Sequence, residues 1–224
     1  KTIDLLALVD VKRDALAGEW KRTNDGLSVA NPGGAAVLQL PYEAPEEYDY
    51  EMEFTASDAG LNVNQYLSAG GHSFAWKLNA HSRTPPLYGF ELLDGKFCKD
   101  FPEAARTTDF AIEPGHRYRS LIEVRRGSLR ALVDDKEIVN WSGDFSRFSM
   151  EDVTRLRDDE HLGIGSWKRA VTFHKATVRE ITGTGKVDAG VVVPGNKEVS
   201  KQESWTDWLA TETWKEPWVF QNDT

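Results

Sequence analysis

From Glu47 to Phe54 the chain alternates without a break. Tyr48, Tyr50, Met52 and Phe54 share one parity, and Glu47, Asp49, Glu51 and Glu53 share the other. Successive side chains of an extended strand point to opposite faces, so this spacing predicts a strand with an oily side and an acidic side. The stretch from His116 to Arg126 predicts a second strand, with Tyr118, Ile122 and Val124 on one face. Gly127 permits a tight turn. Leu129, Ala131 and Val133 alternate in the next strand, Asp134-Asp135 marks another turn, and Glu137 to Trp141 begins a third strand. Strands joined by turns this short form an antiparallel meander.

The same alternation, cut by Gly, Pro, Asn and Asp, predicts strands at Ala36–Leu40, Leu61–Ser68, His72–Leu78, Leu87–Leu93, His161–Trp167 and Val171–Thr182. About ten short strands at this spacing indicate a sandwich or barrel. Helical signals are few. Ser149 and Asp152 make a capping box ahead of Val153 and Leu156, which predicts one short surface helix. Asp4–Leu8 fits either a helical turn or an edge strand. From Thr182 to Ser204 the glycines 183, 185, 190 and 195 and Pro194 read as a linker. Beyond it lie Trp205, Trp208, Trp214 and Trp218, the first two spaced with Leu209 as on one face of a short helix. Four indoles are too much apolar surface to leave in water, so the tail is expected to dock on the sandwich or on a neighbour.

Composition narrows the function. The net charge of −9 argues against nucleic acid, whose phosphates require a basic footprint. Cys98 is the only cysteine, which excludes an internal disulfide. A chain of 224 residues still has core enough to live outside the cytoplasm without one. No apolar run reaches the length of about 18 residues needed to span a bilayer. Lys1 begins in mid-pattern, so an excised or processed fragment is expected.

Several segments in order carry a resemblance. They are the Tyr48-to-Phe54 strand, Gly89-Phe90-Glu91-Leu92-Leu93-Asp94-Gly95, the meander ending Val139-Asn140-Trp141, Leu162-Gly163-Ile164-Gly165-Ser166-Trp167, and Val171-Thr172-Phe173-His174. Together they resemble concanavalin A-like (laminin-G-like) domains, especially those abundant in planctomycete-type bacteria. More distantly they are similar to 3-keto-disaccharide hydrolase domains. The resemblance covers roughly residues 3–186. It implies an all-β, two-sheet antiparallel jelly-roll sandwich with a ligand groove on its concave sheet, and an extracytoplasmic address. The expected organisation is a sandwich over 1–186, a linker over 187–204 and a short Trp-rich tail over 205–224. Laminin-G relatives sometimes hold calcium at a rim, where Asp144 or Asp158-Asp159 would serve. No zinc-spaced His/Cys cluster is present, and no metal or other cofactor is expected.

Two kinds of chemistry compete. Glu47-Tyr48-Asp49-Tyr50-Glu51 matches the Glu-x-Asp-x-Glu strand of laminarinase-like enzymes of this fold, yet it comes early in the chain. Its outer carboxylates start from Cα atoms about 13 Å apart, whereas retaining chemistry needs carboxyl groups at about 5–5.5 Å. Glu91, between Tyr88 and Asp94, is the catalytic candidate, although the Gln that the hydrolase family carries between its acids is missing. Binding has broader support. Asn64, Gln65, His72, Trp76, Lys77, Asn79, His81, Tyr88, Trp167, Lys168 and Arg169 offer aromatic platforms beside amides and cations, as sugars with one apolar face and a rim of hydroxyls require. Gln65, His72, Trp76, Asn79, Tyr88, Trp167 and Arg169 are taken as the ligand set, with Trp76 and Trp167 as platforms. The competing reading of Trp76 is a core residue beside Phe74. The sequence thus predicts a carbohydrate-binding or glycan-sensing module with a polysaccharide or oligosaccharide as partner. A glycoside hydrolase-like enzyme is the alternative, and a structural or assembly domain the second alternative.

Overall fold

The computed structural model describes residues 1–30, 33–57, 61–80, 85–100, 105–107 and 111–192. In chain order its strands are β1 (Thr2–Asp4), β2 (Ala15–Ala17), β3 (Trp20–Thr23), β4 (Gly26–Val29), β5 (Ala35–Glu43), β6 (Glu47–Ala56), β7 (Asn62–Ala69), β8 (His72–Ala80), β9 (Leu87–Phe90) and β10 (Leu92–Leu93). They continue as β11 (Lys96–Phe97), β12 (Ala105–Thr107), β13 (Arg117–Arg125), β14 (Ser128–Val133), β15 (Lys136–Ser142), β16 (Phe148–Ser149), β17 (His161–Trp167), β18 (Val171–Thr182) and β19 (Lys186–Val187). One helical turn, α1 (Val11–Asp14), is capped by the Asp10 side chain.

Among the described residues the strands pair into two large antiparallel sheets. The first runs β15-β14-β13-β6-β18-β4-β3, with β1 also on β18; the second runs β12-β9-β8-β7-β17-β5-β19, with β2 also on β5. A small sheet, β11-β10-β16, flanks them. The predicted meander is β13-β14-β15, and its second turn is Asp134-Asp135, both at positive φ as a type I′ hairpin requires. The expected all-β sandwich is therefore the fold that forms.

The core lies between the two sheets. Tyr48, Tyr50, Met52 and Phe54 of β6 are fully buried, together with Ile122 and Val124 of β13. Facing them are Val63 and Leu67 of β7, Phe74, Trp76 and Leu78 of β8, and Leu38 and Ile164. In β18 the pairing register shifts between Phe173 and Lys175, so Phe173 and Val178 both point inward although their spacing is odd.

A second, smaller core covers the outer face of the second sheet. Val37, Tyr66 and Ala75 project from it, and Met150 and Leu156 of the segment crossing from β15 to β17 pack on them. Tyr66 fits because Gly163 and Gly165 give way: a Cβ on Gly165 would lie 2.9 Å from the Tyr66 ring. The Leu-Gly-Ile-Gly pattern of β17 thus places large residues inward and none outward.

Two local expectations change. The helix predicted from Ser149 forms only a 3-10 turn, Asp152–Thr154, because Ser149 pairs with Leu92 as a strand. Asp4–Leu8 divides, Asp4 ending β1 and Leu6–Leu8 forming a 3-10 turn. Residues Lys1–Val192 make one compact unit, and Lys186–Val187 pair with β5. The remainder of the expected linker, from residue 193, and the four tail tryptophans lie outside the described residues.

Candidate functional site

The acidic face of β6 forms as the alternation requires, and it is neutralised. Asp49 accepts from Arg125 at 2.6 Å and is also bound by Arg179. Glu51 pairs with Arg119 at 2.6 Å and Lys175 at 2.5 Å, and Glu53 with Arg117 at 2.7 Å. Burial alone would raise the Glu51 carboxyl, but its hydrogen bonds to Arg119 and Lys175 override this and hold it below the usual range. A general acid needs the opposite shift. This face is an ion-paired outer surface of the first sheet.

The second sheet carries a different arrangement on its outer face. A groove of about 270 Å³ is lined by Leu61, Asn62, Lys77, Phe97, Lys99, Glu151 and Trp167. Its floor comes from three neighbouring strands. Trp167 of β17 is in register with Asn62 of β7, and Lys77 of β8 with Asn64. One wall is β11 and the 3-10 turn Cys98–Asp100, held down by the Cys98 amide donating to the Glu91 carbonyl at 2.9 Å. The other wall is the crossing segment, through Glu151.

Polar groups below the groove are linked in advance. Asn62 donates to Asn64 at 2.5 Å, and Asn64 donates to the Tyr66 hydroxyl at 3.0 Å. Lys77, 6% exposed, forms an ion pair with Glu91, 0% exposed, and reaches Glu151 at 3.3 Å. The Thr154 hydroxyl lies 3.4 Å from the second Glu91 oxygen. Burial pushes the Glu91 carboxyl up to about 7, opposed by Lys77 and reinforced by its hydrogen bond to Glu151. The arrangement holds a nearly buried ammonium between a buried acid and a half-exposed one. It offers a ligand an aromatic face at Trp167, cations at Lys77 and Lys99, and an acceptor at Glu151.

The structure divides the sequence-predicted set. Trp167 lines the groove half-buried, and Asn79 stands near its rim, donating to the Leu61 carbonyl at 3.1 Å. Lys77 also belongs to the groove, and Glu91 lies directly below it. Trp76 does not: it is fully buried, its ring 5.1 Å from that of Phe90. A fully buried indole leaves no face for a sugar. Gln65 points the same way, donating to the Tyr50 carbonyl at 2.9 Å and accepting from Ser120 at 2.8 Å. Tyr88 is likewise fully buried. Arg169 is 1% exposed and donates to the Ile112 carbonyl. His72 starts β8 beside the Gly70-Gly71 turn, five residues along the strand from Lys77. Lys168 is exposed at the turn after β17, and His81 lies outside the described residues.

The parity rule accounts for the placement of Gln65 and Trp76. Gln65 is adjacent to Asn64 and Trp76 to Lys77, and neighbours in a strand cannot face the same side. Sequence reasoning missed Asn62, which shares parity with Asn64. Phe97, Lys99 and Glu151 lie on segments that carry no alternation to signal their placement.

The aspartates that could have served a rim calcium are otherwise engaged. Asp144 caps the Phe145–Arg147 turn through the Ser146 amide at 2.9 Å. Asp158 contacts His161 at 2.5 Å, and Asp159 accepts from Ser73 at 2.5 Å. Among the described residues no group of three or more His, Cys, Asp or Glu side chains is placed to hold a metal. Among the same residues no helix is long and apolar enough to cross a membrane.

No model of a known protein family matches the chain, and no curated protein sequence matches it. Solved structures do. The carbohydrate-binding module CBM66 from Bacillus subtilis matches with a TM-score of 0.52 at 15% identity, covering 74% of this chain and 94% of that one. The exoplasmic/lumenal domain of VIP36, in a Ca2+/Man3GlcNAc-bound form, matches with a TM-score of 0.54 at 13% identity over 75% and 84% of the two chains. The Crh5 transglycosylase in complex with NAG matches with a TM-score of 0.58 at 12% identity over 82% and 84%. With the strand topology described above, these likenesses show the fold, a two-sheet antiparallel jelly-roll sandwich.

Proposed function

We propose that this domain binds carbohydrate, in the groove floored by Asn62, Lys77 and Trp167. The observation that carries the reading is the placement of Trp167. It is a half-buried indole on the outer face of the sheet, beside amide, ammonium and carboxylate groups fixed by buried hydrogen bonds. Sugars bury an apolar ring face while their hydroxyls find planar or charged partners, and a pre-linked set of partners lowers the ordering cost of binding. The fold likeness to a carbohydrate-binding module and to the Ca2+/Man3GlcNAc-bound VIP36 domain supports the same reading. An extracytoplasmic or lumenal location goes with it.

The test is calorimetry against a panel of oligosaccharides. Single-site affinity is expected in the millimolar to micromolar range, about −4 to −8 kcal/mol. Replacing Trp167 with Ala should weaken binding by about 2 kcal/mol, roughly thirtyfold, if the indole is the dominant contact. No binding to any polysaccharide class would refute the proposal.

A glycoside-cleaving enzyme is the second reading, favoured by one observation, the fully buried Glu91 carboxylate beneath the groove, which burial pushes up against the pull of Lys77. Against it, Glu91 is sealed from the groove by Lys77 and cannot touch a glycosidic oxygen as the structure stands. Product analysis after incubation with 3-keto-glycosides and β-glucans decides between the two.

A further inference from the structure

We propose that the groove selects an acidic saccharide, a uronate, whose carboxylate is received between Lys77 and Lys99. The inference rests on the carbohydrate reading above and narrows it to a ligand class.

The argument starts from charge. The chain carries a net charge of −9, so its surface as a whole repels anions. The groove departs from that average. Two lysines and a single carboxylate, Glu151, line it. The second carboxylate of the cluster, Glu91, has no exposed surface and lies behind Lys77. At the groove surface an approaching ligand meets the exposed Lys99 and the half-exposed Glu151, with the nearly buried Lys77 ammonium beneath them.

The two lysines differ usefully. Lys99 is exposed on the wall, its ammonium 5.9 Å from the centre of the Phe97 ring. Lys77 is almost wholly desolvated, so an anion brought to it meets a weakly screened charge. A carboxylate from the ligand competes with Glu91 for that ammonium. Glu91 can yield by taking a proton, since burial already favours its neutral form near pH 7. The groups facing Glu91 are Lys77 from β8, Tyr66 from β7, Cys98 from the wall, and Glu151 and Thr154 from the crossing segment. Of these, Lys77 supplies the positive charge. Protonating Glu91 frees Lys77 for the ligand, and Trp167 and Asn62 remain for the sugar ring.

The experiment pairs each acid with an uncharged twin. Oligomers of galacturonate, glucuronate and mannuronate are titrated into the full chain, each beside its methyl ester, together with neutral glucose and mannose oligomers. At least one acid should bind tenfold or more tightly than its ester at low salt. That gap should shrink with added salt and widen as the pH falls from 8 to 6. Lys99→Met, an exposed position whose change leaves the sandwich intact, should weaken the acid far more than the ester. If no acid binds more tightly than its ester while a neutral oligomer still binds, the proposal is overturned and the carbohydrate reading stands. If neither acids, esters nor neutral oligomers bind, the carbohydrate reading itself fails. A gap independent of pH would overturn the assignment to Lys77.

Discussion

Trp76 and Trp167 look alike in sequence, each at the centre or end of an alternating strand, and the sheet sends them to opposite sides. Trp76→Ala is expected to cost about 3–5 kcal/mol of folding stability, the range for emptying a large core site, as measured by denaturant unfolding. Trp167→Ala should leave stability almost unchanged and weaken binding roughly thirtyfold. A reversed pattern would mean that the groove is misplaced. Glu91 adds a pH signature. Its folded value near 7 lies above the ordinary carboxylate value of about 4.3, so the folded state holds the extra proton. That contribution is full below the unfolded value and declines as the pH rises through 7. Glu91→Gln should flatten the stability profile across this window. If the slope survives the substitution, Glu91 is not its source. The residue types of the site were legible in the sequence, but their sides were not. A strand reading assigns parity within one strand, and only the packed sheet tells which parity is covered by a crossing segment.

At the scale of elements, the long strands were legible because each alternates over seven or more residues. β17 and β18 form over His161–Trp167 and Val171–Thr182, the spans the pattern predicts. The two- and three-residue strands β2, β11, β12, β16 and β19 were not, since so few residues cannot display a period. These short pieces build the groove wall and fasten the sheet edges. β17 itself tolerates little change. A Cβ on Gly165 would collide with the Ala36 carbonyl oxygen, so Gly165→Ala should destabilise by about 1–3 kcal/mol in thermal unfolding. At the far edge, His161 contacts Asp158 at 2.5 Å and Asp188, just past β19, at 2.7 Å. Burial alone would lower the His161 value; the hydrogen bonds to Asp158 and Asp188 outweigh it and raise it. The tie is therefore complete below about pH 6.5, the ordinary histidine value, and weakens as the pH climbs through the raised one. Asp188→Asn should speed amide exchange at Val187 at pH 6. Equal exchange in both proteins would show that the imidazole does not secure this edge.

For the whole molecule these local titrations combine. Several paired carboxylates, Glu51 and Asp158 among them, are pushed up by burial yet held below their ordinary values, Glu51 by Arg119 and Lys175 and Asp158 by His161. Groups of this kind contribute stability above the unfolded carboxylate values that is lost as the pH falls through the folded ones. Glu91 and His161 act on the other flank, contributing most at mildly acid pH. The thermal midpoint should accordingly be highest between about pH 4.5 and 6. A maximum at pH 8 would contradict the placement of both buried groups. The sandwich could be read at this scale because two alternating faces sum to two sheets with an interior between them. The second core on the outer face could not, because it depends on where the β15-to-β17 crossing comes to rest.

The wall that bears Lys99 is reached through a two-residue hairpin turn, Asp94-Gly95, both at positive φ, with Asp94 clamped by Arg147 at 2.7 Å. Its tip is solvated, and a Cβ added to Gly95 would touch nothing within 4 Å. Lengthening or exchanging this tip would re-dimension the cleft while the two layers behind it stay as they are. The hairpin is thus a natural grafting point, where related chains could diversify what they recognise, and where a designer could retune it, without disturbing the scaffold.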